Sequence, residues 1–529
     1  MIDNNTSCLK FNDGHINNTQ KTELSQIINK AKNLVSDNKE YVFLSVYLLT
    51  ILFFISSDSY THHKFYHWDS AVFFTSGKAW VNGMIPYVDY ADSKGPFLWF
   101  INGIGYIISP HDYTGIFWLS WFSFTIFFFF LYKISLLYLK NKSLAILSVV
   151  MITPFVFLLQ HKYEMKGENW CQPFIAATVY YACRVIHFGK VSTWDIRKAS
   201  IVFGVSFSAC LLVKYNIAVM LSSVFLCLFY FLWRNNYRVL PVVMWSFTGA
   251  VLMALPFIIW LMSLGAFDAF INEYFINTLL TITNSPRSGG YLSDLVSACT
   301  NTFIVSYFIL LLTGCIYISV LLKFKSRWFL PFVLIFIYAV CLRHHIHYYF
   351  MTCTPLLIFF ILSGVFLCRR YILKAYHTLF PLATVCICLF TVVVGNIDRQ
   401  FKDGIRIDKS IWFVDSELCG GYEKVYSILS KINKPKIIFY NCIDTGEGIQ
   451  SDALPGSVYW TSQCGATEEM VNKQKSDIQS GRADFLVTVG DEKDSAACLA
   501  FLNSCGYVEI LRYKDGFSEA QRVLMKRSE

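Results

Sequence analysis

Apolar positions in this chain gather in runs near the length that crosses a bilayer as helix, about 20 residues, and short basic or mixed loops separate the runs. The pattern predicts spans at 41–57, 113–132, 143–160, 170–188, 199–213, 217–233, 239–264, 300–322, 328–342, 348–367 and 376–395. A further apolar stretch, Phe97 to Ile108, contains Gly103 and Gly105 and is short for a crossing, which predicts a helix lying in or dipping into the membrane. From about Asn396 the pattern changes. Strand-like runs at Lys436–Tyr440, Phe485–Val489 and Val508–Tyr513 alternate with helical periods at Gly421–Ile432, Ala466–Ser480 and Ser495–Leu502, the order of a small α/β domain. The expected fold is a polytopic α-helical membrane protein of about 11 transmembrane helices with a small C-terminal soluble α/β domain. Its parts are an N-terminal segment 1–40, a multi-span domain 41–395 with an external loop 58–112, and an α/β domain 396–529.

Composition supports that picture: of 529 residues, 55% are hydrophobic and 15% charged, against about 25% charged in soluble domains. Residues 1–40 are polar and carry no apolar run followed by a small-residue cleavage site, so 41–57 reads as an uncleaved anchor. Most of the 17 cysteines lie inside apolar runs, where they act as small hydrophobes, and no CxxC pair occurs.

Charge sets the orientation. Twenty Lys and Arg fall in the N-terminal segment and the loops on its side, while the opposite loops before the tail hold eight: Lys64, Lys78, Lys94, Lys162, Lys166, Lys214, Arg287 and Arg343. The positive-inside rule then puts the N-terminus in the cytoplasm and loop 58–112 outside, and eleven spans leave the tail outside too. Acids show the reverse bias, concentrated in the outer loops at Asp58, Asp69, Asp89, Asp92, Asp112, Glu164, Glu168, Asp268, Glu273 and Asp294. The tail, with 17 basic and 20 acidic residues, is net −3. It contains no GxGxxG or GxxxxGK[ST], so a nucleotide site there has no support.

Asp69 follows His67-Trp68 at the head of an amphipathic stretch; a partly desolvated carboxylate at that boundary serves as a base or metal ligand, or caps the helix that follows. Asp92 and Lys94 precede Gly95-Pro96. They read as a solvated turn, or as an acid–Lys pair whose cation meets a phosphate. Lys214 ends a short apolar run at the outer boundary, by snorkelling or to hold a phosphate. In Arg343-His344-His345-Ile346-His347-Tyr348, Arg343 and His347 share a helical face. That face suits a lipid phosphate through Arg343, a metal through His344 and His347, or an interfacial aromatic belt.

The order WDS…IPYVDYADSKGPFLWF resembles the first external loop of GT-C glycosyltransferases, in particular the bacterial branch related to protein O-mannosyltransferases and aminoarabinose transferases. The resemblance extends over residues 41 to about 395. It implies a polytopic enzyme of the bacterial cell membrane that takes a sugar from a polyprenyl-phosphate donor and moves it to an extracytoplasmic acceptor, a cell-envelope glycan, lipid or protein; no nucleic-acid partner is implied. By the same resemblance Asp69 and Glu168 are the catalytic acids, with Glu164 in reserve, and Asp92, Lys94, Lys214, Arg343 and His347 surround the donor phosphate. Ser70 stands where the family often has a second acid. A divalent metal is left open, since related enzymes differ in needing one. The rival readings are a transporter or flippase of lipid-linked saccharides, which favours ionisable residues deep in the spans, and a non-enzymatic membrane scaffold.

Overall fold

The computed structural model describes residues 38–59, 68–157, 165–188, 192–280, 352, 354–395, 397–398, 406–407, 416–462, 466–490, 495–514 and 521–528. Helices occupy Lys39–Ile55, Trp68–Val81, Pro96–Ile108, Thr114–Leu139, Lys142–Phe157, Gly167–Phe188, Thr193–Leu211, Tyr215–Arg234 and Leu240–Ser263. The short helix Phe267–Phe270 runs into a π-helical segment, Ile271–Asn277, and the helices Thr354–Lys374 and Tyr376–Gly395 follow. Each predicted span that falls on described residues coincides with one of these helices. The predicted spans 300–322 and 328–342 lie outside the described residues. Among the described residues five helices are long and apolar enough to cross a membrane: Thr114–Leu139, Tyr215–Arg234, Leu240–Ser263, Thr354–Lys374 and Tyr376–Val394. Their outer faces carry exposed Phe247, Leu252, Ile259, Leu382 and Leu389, a surface that hydrocarbon, not water, covers without cost.

The paired helices Pro96–Ile108 and Trp68–Val81 are too short to span. Pro96–Ile108 has 13 residues, about 20 Å at 1.5 Å per residue, against a hydrocarbon core of about 30 Å. Pro96 opens it at a position whose missing N–H costs nothing. The Trp68–Val81 helix packs along it, with Gly77 set so close to Asn102 and Gly103 that a Cβ would collide with their backbone. Small residues permit this approach of two backbones. The pair forms a platform beside the spanning helices.

After the last spanning helix, β1 (Ile397–Asp398) pairs antiparallel with β2 (Arg406–Ile407). The tail then folds on a five-stranded mixed sheet of order β4-β3-β5-β7-β6. In it β3 (Lys436–Phe439) runs parallel to both β4 (Leu454–Pro455) and β5 (Phe485–Val489). The strand β7 (Gln521–Arg527) runs antiparallel to β5 and to β6 (Tyr507–Lys514). Helices Ser416–Leu429, Glu468–Gln479 and Ser495–Ser504 accompany the sheet. The three predicted strand runs are β3, β5 and β6. Sequence reasoning missed β7, because only Val523, Leu524 and Met525 are apolar between charged ends; they are fully buried between β5 and β6.

Candidate functional site

The Asp92–Pro96 loop is held by backbone pairing with a segment far along the chain. Gly95 N–H donates to the Val213 carbonyl (3.1 Å), and Phe97 N–H donates to that of Leu212 (3.0 Å). Only glycine allows this approach, since a Cβ at Gly95 would overlap the Leu212 carbonyl. Within the loop Lys94 Nζ lies 3.6 Å from Asp92 Oδ2 and donates to Ser93 Oγ (3.0 Å), while Asp92 Oδ1 accepts from Ser93 N–H (2.6 Å). The Tyr87 hydroxyl donates to the Lys94 carbonyl (3.0 Å) from a backbone in the left-handed region, φ 65°, a conformation a bulky residue adopts only under tertiary constraint.

That pairing brings the loop beside Lys214, which directly follows Val213. Lys214 Nζ donates to Glu168 Oε1 at 2.5 Å, with side-chain exposures of 13% and 2%. Glu168 lies in the first turn of the Gly167–Phe188 helix, where the helix dipole favours a carboxylate. Just before it, Met165 N–H donates to Asp58 Oδ2 (3.1 Å), tying the segment after the Lys39–Ile55 helix to the approach to Glu168. Sequence reading counted Asp58 only among the outer acids. Its single cue is a carboxylate immediately after an apolar run.

Asp69 lies on the helix that approaches the Asp92–Pro96 loop through Phe73. The helix begins at Trp68, so Asp69 stands inside its first turn and does not precede it as a cap. It is partly exposed and has no hydrogen-bond or ionic partner among the described residues. Phe73, one turn on and on the same face, lies with its ring centroid 5.6 Å from Lys94 Nζ, within cation–π reach. Asp92, Lys94, Glu168 and Lys214 are thus joined through the 95–97 to 212–213 pairing, and Lys94 reaches the helix that carries Asp69 through Phe73. Arg343 and His347 lie outside the described residues. No group of three or more His, Cys, Asp or Glu gathers to hold a metal among the described residues.

A second buried cation lies on the same platform. Lys78 is fully buried; its Nζ donates to the carbonyls of Ser451 (2.7 Å) and Gly448 in the C-terminal domain. One turn earlier, Thr75 Oγ1 donates to Asp444 Oδ2 (2.9 Å). Burial, reinforced by the nearby Glu447 charge, pushes the Asp444 carboxyl up to about 6. Burial pulls the Lys78 ammonium down to about 8, although Asp444 and Asp452 oppose the shift. Glu447 is held by the Tyr513 hydroxyl (2.8 Å) and Arg522 Nη1 (3.3 Å). Ala91 N–H also donates to the Val458 carbonyl (2.8 Å), and the Tyr459 hydroxyl donates to Glu273 Oε1 (2.9 Å). The domain therefore sits directly on the 87–94 loop. Nothing in the spacing of Lys78 or of Asp444-Thr445-Gly446-Glu447 signals their meeting.

A helical platform with membrane-length helices, followed by a mixed-sheet domain, is a fold that this chain shares with a solved membrane protein. Residues 93–262 match the family model described as dolichyl-phosphate-mannose-protein mannosyltransferase. The structure is similar to ArnT from Cupriavidus metallidurans bound to undecaprenyl phosphate, at a TM-score of 0.59 and 12% identity, covering 93% of this chain and 98% of that one. The apo state of the same protein superposes equally well. A weaker likeness joins it to the Archaeoglobus fulgidus oligosaccharyltransferase in the apo form, at a TM-score of 0.49 and 11% identity over 89% of this chain and 73% of that one. No curated protein matches the chain by sequence.

Proposed function

We propose that this protein is a glycosyltransferase that moves a sugar from a polyprenyl-phosphate donor to an acceptor on the extracytoplasmic side of the membrane. The observation that carries the reading is the joint between two ion pairs: Asp92–Lys94 and Glu168–Lys214 are brought together by the 95–97 to 212–213 pairing. Both ammonium groups are largely shielded from water yet still partly exposed. A phosphate that reaches them meets two cations in a medium where their field is weakly screened. The match to the mannosyltransferase family model over the segment that contains Lys94, Glu168 and Lys214 supports the same donor class, as does the undecaprenyl phosphate bound by ArnT.

In the proposed reaction the acceptor hydroxyl oxygen attacks the anomeric carbon as the bond from that carbon to the phosphate oxygen breaks. The electron pair leaves with the lipid phosphate, whose growing charge Lys94 and Lys214 stabilise. Asp69, partly exposed and without a partner among the described residues, takes the hydroxyl proton. Glu168 acts through Lys214, holding its ammonium in place, and Asp92 does the same for Lys94. A single displacement inverts the anomeric configuration. Asp69→Asn in the purified protein, assayed with a panel of synthetic polyprenyl-phosphate sugars, is expected to lower turnover by about 10²–10⁴-fold without changing thermal stability. Full turnover by that variant, or a product of retained configuration, removes Asp69 as the base.

A further inference from the structure

A cleft of about 660 Å³ opens where the C-terminal domain meets the membrane platform, lined by Tyr87, Glu273, Tyr459, Glu468, Glu469, Asn472 and Lys473. Its volume falls within the about 300–1,000 Å³ typical of small-ligand sites. The walls come from three separate parts of the chain. Glu468 and Glu469 occupy the exposed first turn of the Glu468–Gln479 helix. Glu273 projects from the π-helical segment Ile271–Asn277, a conformation that concentrates at functional sites. Tyr87 is nearly buried, and its hydroxyl bonds the Lys94 carbonyl, so the cleft borders the loop that carries the candidate donor cation.

The lining restricts what the cleft can take. Three carboxylates face one ammonium, and that ammonium is already engaged, since Lys473 Nζ lies 3.0 Å from Asp477 Oδ1. A phosphorylated or carboxylated ligand would meet net repulsion. Hydroxyl and amino groups would instead find acceptors on Glu468 and Glu469, and both kinds of partner on Asn472. The ring of the half-buried Tyr459 adds apolar surface that the C–H face of a sugar covers. We infer that this cleft is the acceptor subsite and takes a hydroxyl-rich, non-anionic glycan end, preferring one that bears free amines. The inference rests on the proposed function for the word acceptor, while the binding chemistry stands on the lining alone.

The test uses the full chain in nanodiscs and four probes. Calorimetry with chitotriose (cationic), N-acetylated chitotriose (neutral) and trigalacturonate (anionic) reads the cleft; binding of undecaprenyl phosphate reads the donor site. The expected order is chitotriose tightest, its acetylated form next, and no binding of trigalacturonate. The double variant E468Q/E469Q, altered only at exposed positions, is expected to lower chitotriose affinity by about 10-fold, as loss of two charge-assisted hydrogen bonds predicts. Trigalacturonate binding as well as chitotriose, an unaltered affinity in the double variant, or failure of all three saccharides to bind overturns the inference. If undecaprenyl phosphate fails to bind while chitotriose binds as described, the proposed function falls and the cleft's glycan preference stands.

Discussion

Lys214 and Lys78 are both shielded lysines beside the same platform, and they have opposite surroundings. Lys214 pairs with the carboxylate of Glu168 and keeps 13% of its side chain exposed. Lys78 is sealed, with its protons directed to the backbone carbonyls of Gly448 and Ser451. A partly exposed ammonium paired with a carboxylate can exchange that partner for a phosphate. An ammonium whose protons are committed to carbonyls of another domain cannot, and it acts as a fastening. The difference lies in the partner and the residual exposure, not in the residue type.

Gly95→Ala should break the site side most completely, because the added Cβ meets the Leu212 carbonyl and forces the two loops apart. Turnover with lipid-linked donor is expected to fall below detection while the C-terminal domain remains docked, as limited proteolysis would report. Lys214→Met comes next, leaving Glu168 as a buried unpaired charge at a stability cost of about 3–5 kcal/mol. Adding Glu168→Gln should restore the thermal midpoint but not turnover; recovery of turnover in the double variant would deny Lys214 its phosphate role. Lys78→Met removes a buried charge but strands two carbonyls, with an expected loosening of the domain of about 2 kcal/mol. That variant should speed proteolysis between the domains, and its affinity for undecaprenyl phosphate should remain close to that of the unaltered protein.

The fastening also carries a pH signature. Because the folded-state value of Asp444 is raised from 3.8 to about 6, the folded protein holds a proton that the unfolded chain has lost across that window. Its contribution is therefore most favourable below about pH 4 and declines as pH rises toward 6. Asp444→Asn should flatten the dependence of thermal midpoint on pH between 4 and 6; an unchanged slope would show that another group titrates there. The smallest effect belongs to Tyr87→Phe. It removes one hydrogen bond to the Lys94 carbonyl, worth about 1 kcal/mol, and should lower turnover by about 5-fold with little change in stability.

Much of the helical architecture was readable because lipid leaves few options: a chain of apolar runs near 20 residues must satisfy its backbone internally. The short run at Phe97–Ile108 was equally readable from its length and its glycines. The strands β3, β5 and β6 stood out as apolar runs, whereas β7 did not, since its three buried residues lie between charges. Lys94, Glu168 and Lys214 were legible as residues but not as a cluster. No spacing rule connects position 95 with 212–213, or Phe73 with Lys94. The fastening at Lys78 and the cleft at Glu273 were not legible at all.

By itself the sequence determined where the apolar helices run, the change to a mixed α/β tail, and which ionisable residues stand in the loops between apolar runs. Hydropathy and charge act locally, on segments the length of a helix or strand, so a linear pattern suffices to read them. Tertiary structure alone decided which cations share a carboxylate, which are sealed by carbonyls, and how the tail comes to wall a cleft beside Lys94. Those outcomes depend on backbone pairing and burial between segments hundreds of residues apart, where neither periodicity nor composition carries information.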